Sequence, residues 1–334
     1  MDIREKERIA RVRRVFEDNF RLTHMYSVYL ERFPELINKE MINALTCEGE
    51  MTVKDAIVAI LAEAFGIDGS EGGEALRFLR NYLIPSIRLM DPKKYTSNPY
   101  YKNIKIENTS LGRWELRQEK YPAFRGVIAG DMMLLDGYRE IAPLGFFAED
   151  FHFPAVLEDG NEWMTLTPVD LDTCDEPIAR AHGKVLTYGL GLVYFAYMAS
   201  IKDDVESVTV VERDENVIAL FESVILPQFP NADKIKIVKA DAYQYFQQVM
   251  PAEAYDYVFV DVWRDASDGT PFYEWMKPRE KLCPGTVFDY WIEGFLASRS
   301  RAIRYSELCE KMDSGATDAP ATFDEFIRCL DGNI

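Results

Sequence analysis

The stretch VLTYGLGLVYFAYMAS, residues 185–200, decides how the fold of this chain is interpreted. A run of branched apolar residues stops at Gly189 and Gly191, and an apolar, aromatic-rich run begins directly afterwards. The stretch is either a loop that holds a cofactor or a buried strand and helix joined by a glycine turn. It leaves both interpretations open, because two glycines at a strand end are a weak signal on their own.

Beyond this stretch, short apolar runs alternate with amphipathic segments that are each long enough for one helix. The runs predict strands at Val185–Tyr188, Val208–Val211, Ile235–Val238 and Tyr257–Val260. Such alternation is typical of βαβ units, and near-continuous apolar strands such as YVFV indicate burial on both faces. The predicted fold class is therefore α/β, with a doubly wound parallel sheet of the Rossmann-like type.

Acidic side chains follow three of the predicted strands, at the sheet edge where open parallel sheets bind their ligands. Glu212 follows the second strand, Asp241 and Ala242 follow the third, and Asp261 follows the fourth. A carboxylate at Glu212 can accept both hydrogen bonds of a ribose diol, and one at Asp241 can accept from an exocyclic amine. Glu212 and Asp241, each taken alone, are also explained as solvated loop residues or helix caps. Together with the glycine turn, they predict a nucleoside-type cofactor.

Residues 184–262 also resemble a known fold. The pieces GKVLTYGLG, VTVVERDENVI, IKIVKADAYQY and YDYVFVDVW are similar to the class I S-adenosylmethionine-dependent methyltransferase fold, and within it to the spermidine synthase branch. The later segment LCPGTVFDYW resembles the fifth strand of that family. The resemblance implies a transferase that uses S-adenosylmethionine as its cofactor.

The same resemblance implies roles for the residues at the strand ends. Gly189 and Gly191 would lie under the methionine part of the cofactor, and Glu212 would bind the ribose hydroxyls. Asp241 and Ala242 would border the adenine. The remaining acid, Asp261, would face the reacting centre and is the candidate catalytic residue.

Several positions depart from the patterns. The dinucleotide fingerprint requires a third glycine where this chain has Tyr194, which argues against NAD. Thr187 stands where the methyltransferase family usually has an acid, and Val193 where it often has a glycine. The segment DVWRD contains Asp261 and Asp265 but lacks the Ser or Thr of the spermidine synthase motif.

Three functions remain open from the sequence. The first is methyl transfer to a small-molecule acceptor, with Asp261 as general base or amine-orienting group. In this hypothesis Trp263, Tyr290 and Trp291 are candidates for the substrate-lining wall, where an aromatic face can also hold a cation. The second is aminopropyl transfer to a polyamine. The third is a methyltransferase-type fold that has lost its chemistry and serves as a binding or assembly module.

Changes in pattern along the chain predict three domains. Residues 1–92 are expected to form a helical N-terminal domain, and 93–180 a small β-rich domain with a connecting helix. Residues 181–334 are expected to form the Rossmann-like domain that binds S-adenosylmethionine. The pattern after Tyr290 is mainly helical, which predicts a short sheet. Periodicity does not distinguish a lid, a homodimer surface and a partner site for the first domain.

The charge and the cysteines narrow the classes of partner. A formal net charge of −18 disfavours nucleic acid and anionic membranes, and fits a small-molecule substrate, including a cationic one. Five scattered cysteines and three histidines give no zinc pattern, so no metal is expected. No window approaches the ~18 apolar residues of a membrane helix, and the charged start MDIREKERIARVRR is unlike a signal peptide. A cytoplasmic protein is expected.

Overall fold

A computed structural model describes residues 2–332, and its helices and strands are numbered here in chain order. The helices are α1 (Ile3–Arg32), α2 (Lys39–Thr46), α3 (Val53–Ala64), α4 (Gly73–Phe78), α5 (Ile84–Ser86), α6 (Pro92–Thr96), α7 (Pro99–Asn103), α8 (Pro168–Arg180), α9 (Tyr194–Ser200), α10 (Glu215–Leu220), α11 (Ala242–Gln248), α12 (Ala266–Met276), α13 (Glu293–Ser314) and α14 (Phe323–Asp331). The strands are β1 (Ile87–Met90), β2 (Thr109–Leu111), β3 (Trp114–Tyr121), β4 (Val127–Ile128), β5 (Met133–Leu135), β6 (Arg139–Ile141), β7 (Leu144–Phe147), β8 (Phe151–Glu158), β9 (Asn161–Thr165), β10 (Gly183–Tyr188), β11 (Val205–Glu212), β12 (Ile235–Lys239), β13 (Tyr257–Val260) and β14 (Val287–Tyr290).

The strands β10 to β14 form one sheet in which every neighbouring pair is parallel. Their spatial order is β12-β11-β10-β13-β14, so the first strand lies in the middle and later strands are added outward on both sides. This is the doubly wound order, and the predicted Rossmann-like α/β fold class is confirmed at that level. The four predicted strands fall within β10–β13, and the segment predicted as a fifth strand contains β14.

The middle of this sheet is buried on both faces because helices cover it. All four residues of β13, the YVFV run, are buried, as are Val185–Tyr188 of β10. The aromatic-rich run after the glycine turn is α9, and its Phe195 stacks on Phe259 of β13 with ring centroids 4.3 Å apart. The opening stretch is therefore a buried strand and a buried helix joined by a glycine turn.

A second sheet, antiparallel and four-stranded, belongs to the same compact unit of the chain, which comprises Asp91–Tyr121 and Phe151–Glu293. Its strand order is β2-β3-β8-β9. The chain leaves β9 and enters α8 through a capping box, in which the backbone N–H and hydroxyl of Thr167 both donate to Asp170 Oδ2 at 2.7 Å.

The other compact unit comprises Met1–Met90, Pro122–Asp150 and Gly294–Ile334. In one of its apolar clusters α1 packs against α13 and α14, and Phe16 stacks on Tyr305 with ring centroids 4.0 Å apart. In the same unit an ion pair joins α13 to β6, where Arg301 Nε donates to Glu140 Oε1 at 2.8 Å. Within residues 2–332 no helix combines the length and apolar character that crossing a membrane requires.

These two units divide the chain differently from the three predicted segments 1–92, 93–180 and 181–334. Residues 122–150 join the first ninety residues because β7 pairs in parallel with β1, Ile87 opposite Leu144. The segment after Glu293 joins them because α13 and α14 pack on α1. Local sequence patterns do not reveal such long-range pairings. Boundaries predicted from sequence therefore fall where the pattern of predicted helices and strands changes.

Candidate functional site

The carboxyl ends of β10 to β13 border a cavity of about 450 Å³. This volume lies within the range of small-molecule and cofactor sites. The predicted residues that line it are Gly189, Gly191, Glu212, Asp241, Ala242, Asp261, Trp263 and Trp291. The parallel topology brings these residues together, because it directs the carboxyl end of every strand to the same edge of the sheet.

Gly189 is required by the packing of two strand ends. Its φ is +93°, and a Cβ there would collide with the backbone oxygen of Asp261. The Gly189 N–H donates to the carbonyl of Val211 at 2.9 Å, which ties the turn to β11. At Gly191, whose φ is +47°, a Cβ would instead meet the flexible end of Met164. The turn therefore has a structural purpose as well as a place in the cavity wall.

Val193 ends the turn in an uncommon backbone conformation. Its φ of 55° and ψ of 23° lie in the left-handed region, which a β-branched side chain rarely adopts. The side chain is buried, and the backbone N–H donates to the Leu190 carbonyl at 2.8 Å. Strain of this kind costs about 1–3 kcal/mol and persists where surrounding packing imposes it, often at ligand sites.

Glu212 is the best anchored acid of the cavity. It is 7% exposed, and its Oε1 accepts from the backbone N–H groups of Arg213 at 2.7 Å and Asp214 at 2.8 Å. Oε2 accepts from the N–H of Leu190 at 3.2 Å, inside the glycine turn. A carboxylate has about four lone-pair sites, so this arrangement orients the group and still leaves capacity for a ligand.

Asp241 combines the two roles that the sequence left open. It is the N-cap of α11, where its Oδ1 accepts from the Gln244 N–H at 3.1 Å, and it also lines the cavity. Ala242 and Tyr243 continue this part of the wall. The rings of Tyr243 and Phe272 pack edge to face with their centroids 4.4 Å apart. They give the wall an aromatic surface beside the carboxylate of Asp241.

Asp261 and Asp170 lie where the cavity adjoins a small recess of about 20 Å³, and both line each of the two spaces. Burial raises the pKa of Asp170 to about 7, although two hydrogen bonds from Thr167 act in the opposite direction. Burial, with the charge of Asp170 as a second cause, raises the pKa of Asp261 well above its usual range. This shift favours the protonated form of Asp261 more than in an exposed aspartate, which makes Asp261 less suited to act as a general base.

Asp170 is a cavity residue that does not follow a strand of the parallel sheet, so the residues after the predicted strands do not include it. It is 7% exposed and lies in the first turn of α8, before the parallel sheet begins. The signal in the sequence is the capping-box pattern TPVD, which predicts a helix start but not the surface that the acid faces.

The three aromatic candidates divide between the cavity and the core. Trp263 and Trp291 line the cavity. Tyr290 lies outside it, because its hydroxyl donates to Glu280 at 2.8 Å and its ring meets Tyr273 at 5.0 Å. Successive residues of an extended chain point to opposite faces, so Tyr290 and its neighbour Trp291 do not share a surface. Of the three aromatic residues predicted to line the substrate wall, Tyr290 is therefore not among those that line this cavity.

The cavity wall carries a strong excess of negative side chains. Its described lining residues include six carboxyl side chains and two arginines: Glu162, Asp170, Glu212, Asp241, Asp261, Asp268, Arg213 and Arg264. The charge of Arg264 is partly offset by Glu158, whose Oε2 lies 3.8 Å from the Nη2 atom of Arg264. A surface of this sign attracts cations and repels anionic ligands.

No protein-family model and no curated protein matches the sequence. Among solved structures, one that is similar is "A putative sam-dependent methyltransferase from Streptococcus mutans". The similarity has a TM-score of 0.31 at 15% sequence identity and covers 54% of this chain. The chain spans only about half of that structure, 50% of its length. At this distance the similarity assigns neither a fold nor a function to the chain.

Proposed function

We propose that the chain binds S-adenosylmethionine in the cavity at the sheet edge and acts as a methyltransferase on a small-molecule acceptor. One observation carries the proposal: a glycine turn and three carboxylates from successive strand ends converge on a single cavity. The sequence resemblance to the class I methyltransferase fold supports it, and so does the β12-β11-β10-β13-β14 order of the sheet.

The residues of the cavity suit the parts of such a cofactor. Glu212 presents an oriented carboxylate for a ribose diol, and Asp241 with Tyr243 offers an acceptor beside an aromatic surface for adenine. The acid-rich wall suits a ligand with a sulfonium and an ammonium group. S-adenosylmethionine supplies an already activated methyl group when bound, so the protein's task is to orient the acceptor and exclude water.

Aminopropyl transfer to a polyamine is a second candidate that one observation favours. Asp170 and Asp261 place two acids together at the inner part of the cavity, which suits an amine acceptor. This reaction uses the same nucleoside site and differs in its donor, decarboxylated S-adenosylmethionine.

Calorimetric titration of the whole chain tests both candidates. S-adenosylmethionine, its decarboxylated form and S-adenosylhomocysteine are titrated separately under identical conditions. Saturable binding of S-adenosylmethionine and S-adenosylhomocysteine is expected for a methyltransferase, whereas a marked preference for the decarboxylated form would favour aminopropyl transfer. If none of the three nucleosides binds, both candidates fail and the binding or assembly module is the remaining hypothesis.

A further inference from the structure

Two acids from separate elements meet at the inner part of the cavity. Asp170 comes from the first turn of α8, and Asp261 directly follows β13. Both line the main cavity and the adjoining recess, whose other lining includes the neutral Thr187 and the apolar Phe259. The two carboxyl groups therefore lie at the boundary between a polar space and close apolar packing.

The capping role of Asp170 does not account for its whole carboxyl group. Both hydrogen bonds of the capping box, from the N–H and the hydroxyl of Thr167, end on Oδ2. Oδ1 takes part in neither of them. An ordinary capping acid is solvated, whereas Asp170 is 7% exposed and forms part of a cavity wall.

The charges that act on this pair are negative. Glu162 raises the pKa of Asp170, and Asp170 in turn raises the pKa of Asp261, in both cases as a smaller cause beside burial. Burial raises the pKa of the Cys174 thiol, and the charges of the same two acids raise it further. Partly desolvated carboxyls of like charge are unfavourable when ionised, and a cation that contacts them offsets part of that cost.

An independent observation on the same cavity also points to a ligand. Trp263 is 7% exposed and lines the cavity, yet its buried Nε1 donates to no acceptor among residues 2–332. Buried polar groups are normally hydrogen-bonded, and an unpaired one is costly. The wall of the cavity therefore contains one buried polar group that no described residue satisfies.

We infer that Asp170 and Asp261 form a receptor for a primary ammonium group at the inner part of the cavity, with Asp170 as its specificity-determining residue. The inference rests on the proposed function, because the ligand is taken to occupy the nucleoside site. An ammonium group in this place has two sources, the amino-acid end of the cofactor or an amine acceptor. Both present the same chemistry to the two carboxyls.

The test compares ligands with and without the ammonium group on the Asp170→Asn variant. Asparagine keeps an oxygen that can cap α8 but removes the charge. Asp175→Asn is the matched control, since Asp175 lies on the same helix, is 61% exposed and is not among the residues that line the cavity. The calorimetric probes are S-adenosylhomocysteine, 5′-methylthioadenosine, which lacks the amino-acid end, and 1,4-diaminobutane added to protein saturated with 5′-methylthioadenosine.

If the cofactor provides the ammonium, Asp170→Asn weakens S-adenosylhomocysteine about 10-fold or more, the usual scale for a hydrogen bond to a charged group. Binding of 5′-methylthioadenosine then changes less than about twofold, and Asp175→Asn leaves both affinities unchanged. If an amine acceptor provides it, only the affinity for 1,4-diaminobutane falls. Unchanged affinities for both ammonium ligands, with 5′-methylthioadenosine still bound, overturn the receptor and leave the nucleoside site standing. If no nucleoside binds the unaltered chain, the proposed function fails and the receptor fails with it.

A pH series on the unaltered chain keeps the inference testable should Asp170→Asn fold poorly. The titratable groups that face Asp170 are Tyr101 on α7, Glu162 from β9, Cys174 on α8 and Asp261 after β13. Because the pKa of Asp170 is about 7, its charge develops between pH 6 and 8. Affinity for the ammonium ligand, relative to 5′-methylthioadenosine, is expected to rise up to about 10-fold over this range. A flat ratio for both S-adenosylhomocysteine and 1,4-diaminobutane would overturn the inference.

Discussion

Two parts of the cavity wall surround their acids with different groups. One is the Glu212 wall, around Glu212, and the other is the Asp170–Asp261 wall, around Asp170 and Asp261. Glu212 and Asp170 are equally buried, at 7% exposure. The carboxylate of Glu212 accepts from three backbone N–H groups, whereas Asp170 accepts two hydrogen bonds from Thr167 and also lies beside other carboxyl groups. Burial alone therefore does not decide whether the ionised form of a carboxyl group is stable. The hydrogen-bond donors and charges around the group decide it, and on this basis the Glu212 wall suits neutral hydroxyls and the Asp170–Asp261 wall suits a cation.

The largest expected effect comes from the residue that separates the two walls. In Gly189→Ala the new Cβ collides with the backbone oxygen of Asp261 at a φ of +93°, so the ends of β10 and β13 must move apart. A loss of roughly 3–5 kcal/mol in the free energy of unfolding is expected, together with loss of nucleoside binding. All five tryptophans lie between residues 114 and 291, in the unit with the parallel sheet, so tryptophan fluorescence during urea unfolding measures that unit.

Gly191→Ala is the matched comparison, because its Cβ meets the side chain of Met164, which can rotate away. Its positive φ still makes alanine unfavourable, but the loss is expected to stay near 1–2 kcal/mol. Equal losses in the two variants would show that the backbone approach of Gly189 to Asp261 is not a special constraint.

The next largest effect concerns the Glu212 wall. Glu212→Ala removes the acceptor for a ribose diol and releases the Leu190 N–H of the glycine turn. Loss of charge-assisted hydrogen bonds at about 1.5–3 kcal/mol each predicts affinity for S-adenosylhomocysteine at least about 100-fold weaker. Glu206→Ala is the control, since Glu206 is exposed near the amino end of the same strand. An unchanged affinity in Glu212→Ala, measured by calorimetry, would remove the nucleoside from this wall.

The Glu212 wall was predictable from sequence, and the other wall only in part. Apolar runs at regular spacing predict parallel strands, and parallel strands place the residues after them on one edge, which is how Glu212, Asp241 and Asp261 were found. Asp170 precedes the first strand of that sheet. Its place in the cavity depends on how α8 packs, and no local pattern encodes that packing.

The same limit explains the other differences. Tyr290 and Trp291 are adjacent aromatic residues that the pattern could not separate, and the pleat of the chain sends only Trp291 to the cavity. The short strand patterns in residues 122–150 predict that they belong to the β-rich domain 93–180. The pairing of β7 with β1 instead places them in the unit of the first ninety residues. Local periodicity predicts elements well, whereas side-chain direction at element ends and long-range pairing need the folded chain.

Ionisation of Asp170 in the Asp170–Asp261 wall is expected to make the free energy of unfolding depend on pH. The pKa of Asp170 is about 7 in the folded chain, above the ~3.9 of an unfolded aspartate, so the folded state binds the extra proton. Its contribution to stability is fully present below pH 4 and is lost as pH rises through 7. In Asp170→Asn this loss disappears, and the variant should gain roughly 2 kcal/mol relative to the unaltered chain between pH 5 and 8.

Urea unfolding followed by tryptophan fluorescence at pH 5 and pH 8 measures this difference. The same difference in free energy of unfolding at both pH values would mean that ionisation of Asp170 does not destabilise the fold. The two walls would then not differ in how well they accommodate a carboxylate charge.

The smallest expected effect sharpens the comparison by removing one of the hydrogen bonds that the carboxyl group of Asp170 accepts. Thr167→Val removes the hydroxyl that donates to Oδ2 at 2.7 Å but keeps the shape of the side chain and the backbone N–H donor. About 1 kcal/mol of stability should be lost with the cap, and the pKa of Asp170 should rise because one donor to its charged form is gone. The pH at which the ammonium ligand begins to bind more tightly should therefore shift upward. Thr322→Val, at the N-cap of α14 in the other unit, removes a comparable cap and should lower stability without moving that pH. A shift of equal size in both variants would trace the pH dependence to general stability and separate it from the charge on Asp170.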